Sequence, residues 1–93
     1  MQYNFAVSKK AEESIYHAAQ WYEQQKHGLG EAFLVAIDTA FLSIQANPLL
    51  YGFRRKNIRK YHMKKFPYLI LFSVTDREVF VISAIHTYQK PKI

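Results

Sequence analysis

Arg54-Arg55-Lys56-Asn57-Ile58-Arg59-Lys60-Tyr61-His62-Met63-Lys64-Lys65 runs straight into Phe66-Pro67-Tyr68-Leu69-Ile70-Leu71-Phe72. The first segment carries seven of the chain's thirteen Lys and Arg residues and no acid. The second opens the most apolar run in the sequence. Tyr68 to Val74 is apolar at almost every position, as a strand covered on both faces should be, and Pro67 fits only at its beginning. Thr75-Asp76-Arg77-Glu78 is polar and turn-like, and Val79 to Ile85 is a second buried strand, so residues 67–86 read as a hairpin. The basic segment predicts a strand over about Ile58–Met63 that feeds this hairpin. Its inward face is open: Ile58 shares parity with Lys60, His62 and Lys64, whereas Tyr61 and Met63 share parity with Arg59 and Lys65. Packing against the core would hold the charges in place, which suits a domain that carries a basic surface to a polyanion such as RNA or DNA. Lys and Arg on an edge strand also block aggregation, which is the plainer reading.

Upstream, Tyr3, Phe5 and Val7 alternate with Gln2 and Asn4, which reads as a strand over residues 2–7. Ser8 is placed to cap a helix from about Lys9 to Gln25, whose inward stripe is Ala11, Ile15, Ala18, Ala19 and Tyr22. His27-Gly28-Leu29-Gly30 breaks it, Gly28 being able to take the left-handed conformation. A second helix is expected from about Glu31 to Ala46, with Phe33, Leu34, Ile37, Ala40, Phe41 and Ile44 inward and Glu31 near the positive end of its dipole. Asn47-Pro48 ends it. So short a link makes an antiparallel helical hairpin, and Leu49 to Phe53 reads as a connecting loop. The order is β-α-α-β-β-β. The expected fold is α+β, a helical hairpin packed on one face of a small antiparallel sheet.

Ninety-three residues make one domain, 1–93, with an aromatic content of 16% to fill a small core. A net charge of +6 favours anionic partners. With no cysteine, disulfides, thiolate nucleophiles and Cys-ligated zinc are excluded. The four histidines, His17, His27, His62 and His86, form no two-histidine helical metal motif, so no metal and no cofactor are expected. The N-terminus lacks the pattern of a signal peptide, and no apolar run approaches the roughly 20 residues that span a bilayer. The expectation is a cytoplasmic protein with no membrane partner.

Trp21-Tyr22-Glu23, Gly28-Leu29-Gly30, Phe33-Leu34, Asn47-Pro48, Asn57-Ile58-Arg59, Phe66-Pro67-Tyr68 and Ala84-Ile85-His86, in that order and spacing, carry a resemblance over nearly the whole chain. The chain resembles the RelE/ParE superfamily of bacterial toxin–antitoxin toxins, many of them described as plasmid stabilisation proteins. The resemblance implies a helical hairpin on an antiparallel sheet with a basic face outside, and a toxin held inactive by a cognate antitoxin protein. RelE-like members are ribonucleases that cut mRNA on the ribosome, and ParE-like members bind DNA gyrase and cleave nothing. It further implies that Arg59 and His86 are the functional positions. The family's Arg three residues after that His is Gln89 here, with Lys90 adjacent and Pro91 in place.

Metal-independent RNA cleavage needs a base for the 2′-OH, positive charge at the phosphate and an acid for the leaving oxygen. His86 is of the type for acid or base, Arg59 for charge stabilisation, and Tyr88 for stacking on a base or packing the tail. Arg54, Arg55, Lys56, Lys60, His62, Lys64, Lys65 and Lys90 are the candidate nucleic-acid contacts. Three classes stay open: an mRNA endoribonuclease acting on the ribosome, a gyrase inhibitor that uses the same surface only to bind, and a degenerate, non-toxic interaction module of this fold. What separates the first two is whether Arg59 and His86 share one open face within reach of a single phosphate.

Overall fold

The computed structural model describes residues 3–87. Strand β1 (Asn4–Val7) leads to helix α1 (Lys9–Gln25) and helix α2 (Leu29–Ala46). A single 3-10 turn (Pro48–Leu50) then precedes four strands: β2 (Phe53–Arg55), β3 (Ile58–His62), β4 (Tyr68–Val74) and β5 (Glu78–His86). The sheet order is β1-β5-β4-β3-β2. Both helices lie on one face of this open sheet, the expected α+β arrangement. β2 to β5 are antiparallel neighbours, and β1 joins β5 in parallel, pairing Asn4 with Glu78 and Val7 with Val81. The sheet is therefore mixed. β1 reaches β5 through the whole chain rather than through a hairpin, so no tight turn forces it antiparallel.

The sequence reading had no β2. It is three residues long and exposed throughout, so it carries no burial period. The turn that follows holds Lys56 at φ 46, where a glycine would have announced a left-handed position.

Ser8 caps α1 as expected: its hydroxyl accepts from the Ala11 N–H at 3.0 Å. It also donates to the Ile82 carbonyl at 2.7 Å. Ile82 is the residue left out of the β4–β5 register, where Leu71 faces Ser83 and Phe72 faces Val81. The bulge thus frees a carbonyl that the helix cap satisfies. Ala11, Ile15, Ala18, Ala19 and Tyr22 are all buried.

α2 begins two residues earlier than expected, at Leu29, so Gly30 lies inside it rather than before it. A Cβ on Gly30 would stand 2.6 Å from the Ala19 carbonyl oxygen; this glycine lets the helices touch. Gly28, at φ 88, makes the turn. The buried stripe of α2 is Phe33, Ile37, Ala40 and Ile44. Leu34 is 44% exposed instead of inward, and Phe41 is half-buried against the Phe5 ring at 5.1 Å. With 18 residues and a mean hydropathy of 1.4, α2 is long and apolar enough by composition to cross a membrane. Here one stripe of it is the core, and Leu34, Val35 and Leu42 face outward.

One acid organises the turn between the helices. The Glu23 carboxylate accepts from the Gly28 N–H at 3.0 Å, from the Gly30 N–H at 3.0 Å and from His27 Nδ1 at 3.1 Å. It occupies the anion position at the start of α2. The Gly28 and Gly30 N–H bonds, followed by His27, hold its pKa below the ordinary 4.5. A carboxyl depressed in the folded state contributes stability above its unfolded pKa and loses it as pH falls through the folded value. Glu23→Gln should therefore lower the melting temperature at pH 7, with the gap to wild type closing on acidification below about pH 4.5. Thermal melts across pH 2.5–7 check this; a gap constant with pH would remove the carboxylate from the turn's energetics.

Candidate functional site

The register of β3 decides where the basic segment points. Arg59 faces Phe72 and Tyr61 faces Ile70 across the β3–β4 ladder. Both partners are fully buried beneath the helices, so Arg59 and Tyr61 project to the helix side. Ile58, Lys60 and His62, paired with Ser73, Leu71 and Leu69, project to the open face. Arg54, Arg55 and Lys56 are exposed at the β2 edge and its turn, and Lys64 and Lys65 are exposed beyond β3. The segment is thus spread over several surfaces rather than gathered into one patch.

Arg59 is engaged with its own chain. One guanidinium nitrogen donates to the Tyr51 carbonyl at 2.6 Å and reaches the Leu49 carbonyl at 3.4 Å. The guanidinium carbon lies 4.0 Å above the Phe53 ring. Lys60 donates to the Phe53 carbonyl at 3.2 Å, so it too helps hold β2.

His86 pairs with Tyr68 and shares the helix side, at the far end of the sheet. It lies edge-on to the Tyr68 ring at 5.2 Å, in a hollow lined by Ser14, His17, Ala18, Trp21, Tyr68, Ala84 and Ile85. Burial, and then the neighbouring Tyr22, push the Tyr68 phenol above its ordinary pKa, so it stays protonated at neutral pH. Trp21 is 56% exposed at this hollow. Arg59 is two strands and four residues from His86, which places their Cα atoms about 16 Å apart by strand geometry. The fully buried Ile70 and Phe72 lie between. His62 and His86 are on opposite faces, because Leu69 and Tyr68, their partners, are consecutive on β4. Tyr88 and Lys90 lie outside the described residues, as do Gln89 and Pro91. Among the described residues no three His, Cys, Asp or Glu side chains gather as metal ligands.

The larger concavity was not visible in the sequence. A groove of about 700 Å³ runs between α2 and the end of β3. Leu29, Ala32, Val35 and Ala36, with Glu31 among them, form one wall, Tyr61, Met63 and Phe66 the other, and Lys64 and Lys65 the rim. Small residues at Ala32 and Ala36 keep it open. Val35, four residues before Thr39 and on the same side of α2, is 57% exposed inside it.

A model of the ParE toxin of the type II toxin–antitoxin system parDE matches residues 5–90. The chain belongs to the ParE toxin family. It is therefore a toxin of a type II toxin–antitoxin system, within the RelE/ParE superfamily. Among solved structures, the chromosomal ParDE toxin–antitoxin system from P. aeruginosa is similar at a TM-score of 0.75 and 14% identity, over 90% of this chain and 95% of that one. The toxin–antitoxin complex RelBE2 from Mycobacterium tuberculosis is similar at a TM-score of 0.64 and 15% identity, over 92% of each chain. At such identities the likeness lies in the fold. Comparison with curated proteins finds no match. Arg59, the position that the superfamily resemblance marks as functional, is hydrogen-bonded here to the Leu49 and Tyr51 carbonyls.

Proposed function

We infer that this ParE-family toxin acts by binding DNA gyrase in the cytoplasm and does not cut mRNA. The observation that carries this reading is the separation of Arg59 from His86. Phosphoryl chemistry on RNA needs a cation and a proton-transfer group at one phosphate. Here the guanidinium is held by two carbonyls and a ring, and the described lining of the hollow that holds His86 has no Lys or Arg. A surface that only binds has no such requirement. The match to the ParE toxin over residues 5–90 supports the same side.

The antitoxin's inhibitory segment, in this reading, is an acidic amphipathic helix lying in the groove between α2 and β3. Its apolar face would cover Val35, Ala36 and Met63, and its acids would meet Lys64 and Lys65. Only the C-terminal part of the Arg54–Lys65 stretch then takes part in neutralisation.

The test compares purified toxin in two assays. Supercoiling of relaxed plasmid by gyrase should be inhibited, and mRNA on translating ribosomes should show no new ends. Site-specific mRNA cleavage, slowed by roughly 10²–10⁴-fold in His86→Ala as for loss of a general acid or base, would overturn the reading.

A further inference from the structure

The 3-10 turn presents two leucines to solvent. Leu49 is 60% and Leu50 77% exposed, and Phe53 beside them is 51% exposed. None of the three lines the groove assigned to the antitoxin. Side chains of this size on a loop tip commonly fold back onto the core, and here they do not. Pro48 before the turn is fully buried. Tyr51 after it packs edge-to-face with Tyr61 at 5.2 Å and Phe72 at 6.1 Å. Between them Arg59 bonds the carbonyls of Leu49 and Tyr51 and covers the Phe53 ring. The turn is thus clamped at both ends and from below, with its apolar side chains outward.

We propose that Leu49, Leu50 and Phe53 form the knob by which this toxin engages its target protein, entering an apolar pocket rimmed by carboxylates, and that Arg59 is the residue that positions it. The proposal rests on the reading that the target is a protein. Contiguous exposed apolar side chains mark interaction sites. A contact surface already ordered in the free protein loses less entropy on binding. The chemistry of the pocket follows from the surroundings. Arg54, Arg55 and Lys56 are exposed directly after the knob, and no acid occurs in the sequence between Asp38 and Asp76. A carboxylate rim complements that field, whereas the same tip on a second copy would meet it with like charge. A nucleic acid offers phosphates to the cations but no preformed apolar pocket for two leucines, which could enter it only by unstacking bases.

The experiment uses Leu49→Ala/Leu50→Ala, read by growth arrest on expression without antitoxin and by affinity for the gyrase holoenzyme. Both leucines are exposed, so the melting temperature should hold. Gyrase affinity should fall by roughly 30-fold or more, as when hot-spot side chains are truncated, and growth arrest should be lost. Antitoxin affinity should be unchanged. Arg59→Ala should weaken gyrase binding in the wild-type background and have a much smaller effect in the leucine-less one, where only Phe53 is left for it to position. Arg59→Lys, which keeps one donor for the Tyr51 carbonyl, should recover part of the loss. Growth arrest that persists in the double variant at equal protein level overturns the proposal whatever the target. Loss of antitoxin affinity with gyrase affinity kept, or leucine-dependent binding of wild type to phosphatidylglycerol vesicles, overturns it too. If the leucines are required for arrest but wild type does not bind gyrase, the gyrase reading falls and the knob is assigned to another protein.

Discussion

Phe33→Ala should destabilise this toxin by about 3–5 kcal/mol, the range for removing a buried aromatic side chain. Phe33 has no exposed surface. Its ring meets those of Tyr22 at 5.2 Å, Phe66 at 5.1 Å and Tyr68 at 5.2 Å. Those three neighbours come from α1, from the loop after β3 and from β4, so one truncation loosens helix hairpin and sheet together. The rings cannot close the gap without leaving their own contacts, because Tyr22 also packs on Phe66 at 4.9 Å. For a domain of this size such a loss is a large share of the total stability. Phe41→Ala is the internal control: half-buried, with Phe5 its one ring contact among the described residues, it should cost distinctly less. Chemical denaturation of both variants decides it, and equal midpoints for Phe33→Ala and wild type would contradict the placement of α2 on the sheet.

That contrast also marks how far the sequence could be read. The period of α1 named its five buried residues because a capped helix with one apolar stripe has a single way to lie on a core. α2 was harder, since Leu34, Val35 and Leu42 are as apolar as the residues beneath them. Composition alone could not say which of its two apolar faces the sheet would take. The continuous apolar run of β4 gave its bounds at Tyr68 and Val74, and the turn at Asp76 gave the hairpin. β3 itself was legible, but its inward face stayed open for a physical reason: each of its parities mixes cations with apolar or aromatic side chains. Only the pairing of Arg59 with Phe72 shows that a guanidinium, not Lys60, turns toward the helix side. The Glu23 cap and the Arg59 clamp are side-chain bonds to backbone groups brought close by turns. No periodicity encodes them.

The outward face of α2 that confused the sequence reading is where the second large effect is expected. Val35→Glu should leave folding nearly unchanged and weaken antitoxin binding by roughly 10²–10³-fold, since like charges brought together at an interface cost several kcal/mol. Val35 is more than half exposed in the free toxin, and Glu is a better helix former than Val. The new carboxylate follows Glu31 by four residues on the helix, at a cost of only a few tenths of a kcal/mol. In the complex the same carboxylate would be pressed into the apolar wall opposite Met63, against a segment that is itself acidic. Val35→Lys separates charge from size. Its ammonium can pair with that segment's acids, so it should weaken binding less than Val35→Glu does. Titration of each variant with the antitoxin by calorimetry gives the order wild type, then Lys, then Glu in falling affinity. Gyrase inhibition by Val35→Glu should match wild type, because the knob at Leu49 and Leu50 stands on other residues. An antitoxin affinity unchanged by Val35→Glu would place the inhibitory segment elsewhere than the groove between α2 and β3.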